Sequence, residues 1–187
     1  SVDFDHPIWV LFSSGTTGKP KAITHRTGGI LIEQYKSLSL HQNISDGDRF
    51  FWNTTTGWMM WNYALGSLLC GAKLCLYDGA ANYPDIGVQW RFAKEAKINH
   101  FGNGSPLFIA SMKQNIKDVN EMELSKLKTI GATGSPLSED AFIWMQDKLP
   151  KTQIISLSGG TDVCSAFIGG CTMLPVYSGY LQCNMLG

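Results

Sequence analysis

Residues 12–21 read "FSSGTTGKPK". An apolar run, residues 8–14, leads into them, so a strand is expected to feed a loop of small hydroxyl residues and glycines. Gly15 and Gly18 permit close backbone approach, and the N–H groups of their neighbours can form an anion-binding nest. Ser13, Ser14, Thr16 and Thr17 supply hydroxyls, while Lys19 and Lys21 supply positive charge. A flexible polar loop is the plain alternative for a Gly/Ser/Thr-rich segment. Two lysines and a fixed proline directly after a strand favour phosphate binding. The loop is not of the Walker A type. Ser13 stands where the first glycine of that motif belongs, and Pro20 follows Lys19 where Ser or Thr is required. Pro20 also removes a backbone N–H where a P-loop helix would begin.

The same junction recurs along the chain. Residues 28–42 have a helical pattern with Leu31, Tyr35 and Leu38 on one face, and "RFFWNT" follows as a strand. "WMMWNYALGSLLCG" reads as a buried helix ending at Gly71, and "AKLCLYD" as another strand. A helix over 86–97, with Ile86, Trp90 and Ala93 on one side, precedes the strand-like "INHFGN" and the helical "PLFIASMKQNI". "LKTIGATG" is a strand entering a glycine loop. Ser138 can N-cap the next helix, Glu139 and Asp140 complement its dipole, and Phe142, Met145 and Leu149 face inward. "QIISLSGG" is a strand again. Strands alternating with helices imply an α/β domain with a largely parallel sheet and flanking helices. Ligands in such sheets sit where strands end and loops begin. Three glycine-rich loops follow three strands here: "SSGTTGKPK", "GATGSP" and "SGGTD".

Composition sets bounds on the partners. The 187 residues fit one large domain, with 44% hydrophobic and 16% charged residues, enough to bury a substantial core. Fifteen basic and fifteen acidic residues balance to zero, leaving no footprint for nucleic acid or an anionic membrane. The five cysteines are odd in number and show no CxxC spacing, which fits cytoplasmic thiols better than disulfides or a zinc site. Residues 50–72 carry no charge, yet Asn53, Thr54, Thr55, Thr56, Asn62 and Ser67 make them too polar for a membrane span. The chain starts at Ser1 and stops after "LQCNMLG", so it reads as a piece of something longer.

"SSGTTGKPK" resembles the signature phosphate loop of the AMP-forming adenylating enzymes, the superfamily of acyl-CoA synthetases, luciferases and peptide-synthetase adenylation domains. "TGWMMWN", residues 56–62, resembles the aromatic motif lining the acyl pocket in the acetyl-CoA synthetase branch. "GATGSPLS" resembles the adenine-contacting loop, and "SGGTD" the later Thr-Glu motif. The four stand in the family's order across nearly the whole chain. Together, "GWMMWN", "SGGTD" and "LPVYSGYLQ" are most similar to the acetoacetate-activating branch.

The resemblance implies a part of the large N-terminal domain, residues 1–187, without the C-terminal lid. It implies ATP, Mg²⁺ and coenzyme A, with a small carboxylic acid as substrate. A carboxylate attacks the α-phosphate, and a thiol then displaces AMP, so catalysis rests on positioning and charge stabilisation rather than on an enzyme nucleophile. Ser14, Gly15, Thr16, Thr17, Gly18 and Lys19 are implied to cradle phosphate, with Thr16, Thr17 and Lys21 on the β- and γ-phosphates. Thr161 with Gly160 is implied at the α-phosphate, and Asp162 with Thr16 at Mg²⁺. The family usually has Glu at the position of Asp162, and Asp is an equally hard oxygen donor. Gly134, Ser135 and Pro136 are implied beside the adenine, although the family often has Glu in place of Ser135. For the acid, Trp58, Met59, Met60 and Gly159 are implied. Acetyl-CoA synthetases carry a pocket-closing Trp at the position of Gly159, so glycine is expected to open space for a larger acid. Met60 reads equally well as pocket or as core. His25 reads as structural. The family's ribose-binding Thr-Gly-Asp, its hinge arginine and its C-terminal lysine are not found before Gly187, so the chain alone is expected to be inactive. A non-catalytic nucleotide-binding module, or a family member using another acid, is the alternative.

Overall fold

A computed structural model describes residues 1–13, 18–116, 119 and 123–187. Ser14, Gly15, Thr16 and Thr17 therefore lie outside the described residues, and so do the roles expected of them.

At the centre is a five-stranded parallel sheet in the order β4–β3–β5–β6–β7. Its strands are β3 (Arg49–Trp52), β4 (Lys73–Leu74), β5 (His100–Gly104), β6 (Thr129–Thr133) and β7 (Gln153–Ser156). Successive side chains of a strand point to opposite faces, and the apolar strands here feed two separate cores. Phe51 and Ile154 join one cluster, with Trp90, Phe108 and Met145 from the helices α3 (Val88–Glu95), α4 (Ser105–Lys113) and α5 (Glu139–Lys148). Phe50, Trp52 and Ile155 join the other, with Leu38 and Tyr63. That second face is covered by α1 (Thr27–Lys36), its π-helical continuation Ser37–His41, and α2 (Met59–Gly66). The sheet is thus buried on both sides, as parallel sheets are.

Glycines make the sheet's centre passable. The Trp52 indole lies directly over Gly102 and Gly131 of the neighbouring strands, and a Cβ on Gly131 would meet the ring at 2.6 Å. The Ser138 hydroxyl caps α5 as expected, accepting from the Ala141 N–H at 3.4 Å, and Phe142, Met145 and Leu149 are buried.

Three features differ from the sequence expectation. First, β1 (Pro7–Ser13) is no part of the parallel sheet. It pairs antiparallel with β2 (Lys21–Arg26), Ser13 standing opposite Lys21. The segment "KAITHR" contains only one large aliphatic residue, so its alternation was too weak to read as a strand. Second, "SGG" is not a loop but the strand β8 (Ser158–Gly160), which pairs antiparallel with β9 (Ser165–Gly169), itself paired with β10 (Cys183–Asn184). Third, α1 turns Leu31 and Tyr35 outward and buries Ile30 and Gln34. On the buried face Gln34 donates to Cys164 in the turn before β9, so hydrophobicity did not mark that face. The stretch 50–72 forms a strand and short helices, and among the described residues no helix is long and apolar enough to cross a membrane. All five cysteines are free.

Candidate functional site

The parallel strands end on one side of the sheet, and a cleft of about 520 Å³ opens there. Its walls come from three strand-to-helix or strand-to-strand junctions. Thr133, Gly134, Ser135 and Pro136 follow β6, Gly159, Gly160 and Thr161 follow β7, and Trp58, Met59 and Met60 follow β3. Four sequence motifs far apart in the chain were expected to share a site, and three of them border this one cavity.

Local chemistry holds each wall. Gly134 sits at φ +85°, a left-handed conformation that glycine adopts without strain, and it turns the chain sharply off β6. The Thr133 hydroxyl donates to the Leu157 carbonyl at 3.0 Å, linking the ends of β6 and β7. Ser105, at the start of α4, donates to the Ser135 carbonyl at 2.6 Å and fixes the loop expected beside adenine. Trp58 is the residue before α2 and is 69% exposed at the cleft mouth. Met60 borders the cleft and also packs on the second core. Tyr63 forms part of the floor. Its hydroxyl accepts from Gln42 Nε2 at 2.9 Å, and burial keeps it protonated.

Gly159 borders the cleft, but its missing side chain has another cause than open space. A Cβ there would run into the Ser165 carbonyl and stand 2.6 Å from Cα of Ala166, so glycine is required by the close approach of β9. A Cβ on Gly160 meets nothing within 4 Å. Free volume at this wall therefore lies in front of residue 160.

Thr161 and Asp162 belong to the four-residue turn that joins β8 to β9. The Cys164 N–H closes it on the Thr161 carbonyl at 3.2 Å. Cys164 lies beneath it, fully buried at φ +50°, and burial pushes its thiol up to about 11. Its sulfur accepts from Gln34 Nε2 at 3.6 Å. The Asp162 carboxylate is exposed and takes no hydrogen bond or ion pair from any described residue.

Gly18, Lys19 and Lys21 are exposed and do not line the cleft. Lys21 pairs with Ser13 at the base of the hairpin loop. By strand alternation it shares the face of β2 with Ile23 and His25.

Several wall residues were not singled out as site residues from sequence, Tyr180 and Leu181 among them. These two border the cleft from a C-terminal segment, where they had served only as a branch marker. Gln182 staples that segment down: its Nε2 donates to the carbonyls of Cys171 at 2.7 Å and Leu174 at 2.6 Å, and its Oε1 accepts from the Cys171 N–H at 2.8 Å.

The AMP-binding enzyme family matches residues 1–181. The chain is 41% identical over 185 residues to an acetoacetyl-coenzyme A synthetase of Rhizobium meliloti, covering 98% of this chain and 28% of that protein. It is 38% identical over the same length to an acetoacetyl-CoA synthetase of Gallus gallus. The solved structure of an acetoacetyl-CoA synthetase from Streptomyces lividans superposes with a TM-score of 0.94 at 46% identity, covering 99% of this chain and 29% of that one. The chain thus spans little more than a quarter of the length of these relatives.

Proposed function

The chain belongs to the AMP-binding enzyme family, and from that premise we propose that it supplies the phosphate-facing and acid-facing walls of an AMP-forming acyl-CoA synthetase. The substrate is acetoacetate or a short acid like it, the acid in the names of its relatives. The observation that supports this best is the shared cleft at the ends of β3, β6 and β7, lined by the motifs expected at the acid, the adenine and the α-phosphate.

In the first half-reaction one carboxylate oxygen bonds to the α-phosphorus of ATP and the bond to the bridging oxygen breaks. The products are an acyl-adenylate and pyrophosphate. In the second, the sulfur of coenzyme A bonds to the acyl carbon and AMP leaves with the bonding electron pair. The residues of this chain position and exclude. Trp58 and Met60 wall the acid, Ser135 and Pro136 flank the base, and Thr161 offers its hydroxyl to the α-phosphate. Lys21 brings positive charge to the outer phosphates. Asp162, an exposed carboxylate with no competing partner among the described residues, fits a hard divalent cation such as Mg²⁺, with Thr16 in the same role on the loop. When bound, the cation neutralises phosphate charge. We place the protein in the cytoplasm, which its free thiols suit.

The test of acid choice is a displacement series. A fluorescent adenylate bound to the chain is competed off by non-hydrolysable adenylates of acetate, acetoacetate and a medium-length fatty acid. Tightest competition by the acetoacetyl compound supports the reading, and a preference for acetyl or for the longer chain contradicts it.

A further inference from the structure

The geometry points to His25 as a positioning residue that locks the phosphate hairpin to the Thr161–Asp162 turn. We propose that it does so through a single neutral tautomer. His25 is 8% exposed and lies 137 positions before Asp162 in the chain. Its Nε2 stands 2.8 Å from the Asp162 carbonyl oxygen, and the Trp9 indole N–H donates to its Nδ1 at 3.2 Å. Both partners have fixed roles. An indole nitrogen only donates and a carbonyl oxygen only accepts. Nδ1 therefore accepts, Nε2 carries the proton and donates, and both polar atoms of the ring are used.

Trp9 and His25 are opposite each other in the β1–β2 ladder, so the tautomer is set within the hairpin itself. The hydrogen bond that leaves the hairpin goes to the main chain of residue 162. Lys21 lies on the same face of β2, four residues from His25 or about 13 Å along the strand. The ring thus joins the element that carries Lys21 to the element that carries Thr161 and Asp162. The turn is held at a second point by Cys164, which accepts from Gln34. Without His25, among the described residues the Asp162 end of the turn keeps its internal hydrogen bond from Cys164 to Thr161. The Asp162 carboxylate takes no hydrogen bond or ion pair from any described residue.

This inference rests on the nucleotide reading above, and its distinctive consequence concerns the cation. If His25 sets the position of Asp162 relative to the phosphate loop, its loss should weaken the Mg²⁺-dependent part of triphosphate binding. Binding of AMP, which lacks the outer phosphates, should be spared.

The experiment titrates the chain with a non-hydrolysable ATP analogue, with and without Mg²⁺, and with AMP, while thermal unfolding is followed in parallel. For His25→Ala, affinity for the Mg²⁺ complex is expected to fall about tenfold, the worth of one such hydrogen bond. AMP affinity is expected to stay within about twofold on the same scale. His25→Gln, whose amide can donate to the carbonyl and accept from Trp9, should recover most of the loss. Trp9→Phe removes only the donor that fixes the tautomer and should give a smaller loss of the same kind, which keeps the test open if His25→Ala does not fold. Equal loss for AMP and the Mg²⁺ complex, no loss at all, or failure of His25→Gln to recover binding each overturns the positioning role. Absence of triphosphate binding by the unaltered chain overturns the nucleotide reading itself, and this inference with it.

Discussion

Cα of Ala166 comes within 2.6 Å of where a side chain on Gly159 would begin, and the two residues are register partners on β9 and β8. This wall of the cleft is therefore built on a backbone contact that tolerates only glycine. Gly159→Ala is expected to cost about 1–3 kcal/mol of stability, the usual range for forcing atoms into a packed site. Urea denaturation measures it. Gly160→Ala should change stability by less than about 0.5 kcal/mol, because its Cβ has no neighbour within 4 Å. Gly160→Val, filling that space, should weaken binding of the adenylate while leaving the urea midpoint unchanged.

Lys21 is exposed at the base of the hairpin loop, so its removal should be silent in stability and visible in binding. Lys21→Ala is expected to weaken the triphosphate analogue by about tenfold or more, the worth of a charge-assisted hydrogen bond. Lys21→Arg should keep part of the charge effect. Calorimetric titration at low and moderate salt separates the two, since a charge contribution fades as salt rises.

Gln182 holds the segment that carries Tyr180 and Leu181 by at least three short hydrogen bonds from one side-chain amide. Gln182→Ala should release that wall of the cleft. The expected result is a loss of about 1 kcal/mol in stability, since hydrogen bonds to part-buried and exposed backbone groups are lost. Proteolysis within residues 171–182 should also accelerate.

At the other end of the sheet, away from the cleft, a buried cluster makes stability depend on pH. His100 Nε2 donates to Asp48 at 3.0 Å, its Nδ1 meets the Thr129 hydroxyl at 2.8 Å, and Lys128 pairs with Asp48 at 2.7 Å. Burial lowers the pKa of His100 despite the Asp48 charge. Burial alone would raise Asp48, but hydrogen bonds from Lys128 and His100 outweigh it and hold the carboxyl below its ordinary value. Both groups take up protons more readily when unfolded, so both contributions are present at neutral pH and fade on acidification. The His100 contribution fades first, from the ordinary histidine value of about 6.5 downward, and the Asp48 contribution below about 4. Denaturation midpoints measured from pH 8 to pH 4 should fall. His100→Gln should be less stable at pH 8 and should flatten the first part of that decline.

Much of this architecture was legible because apolar strands and helices alternate cleanly from Arg49 onward. Phe50, Phe51, Ile154 and Ile155 are β-formers in short runs between turn residues, and Ser138 marks its helix by an actual cap. The cleft-bordering segments after β6 and β3 were legible for the same reason, since each hangs on one of these strands. What could not be read depends on partners distant in sequence. β2 and β8 have little apolar content of their own and are strands because of the ladders they enter with β1 and β9. His25 gave no sign of its link to Asp162, because a lone histidine has no pattern. The buried face of α1 and its π-helical continuation carries Gln34 and Ser37 toward Cys164 and Ser165, a polar stripe that periodicity assigns to solvent.

The central claim is that these motifs assemble an adenylate site within this chain. It is tested most directly by calorimetric titration of the chain with a non-hydrolysable acetoacetyl-adenylate in the presence of Mg²⁺, beside Gly160→Val. Saturable binding at one site, weakened by Gly160→Val without a change in the unfolding midpoint, is the expected result. A cooperatively folded chain that binds no adenylate, or one whose binding ignores the Gly160 substitution, would contradict it.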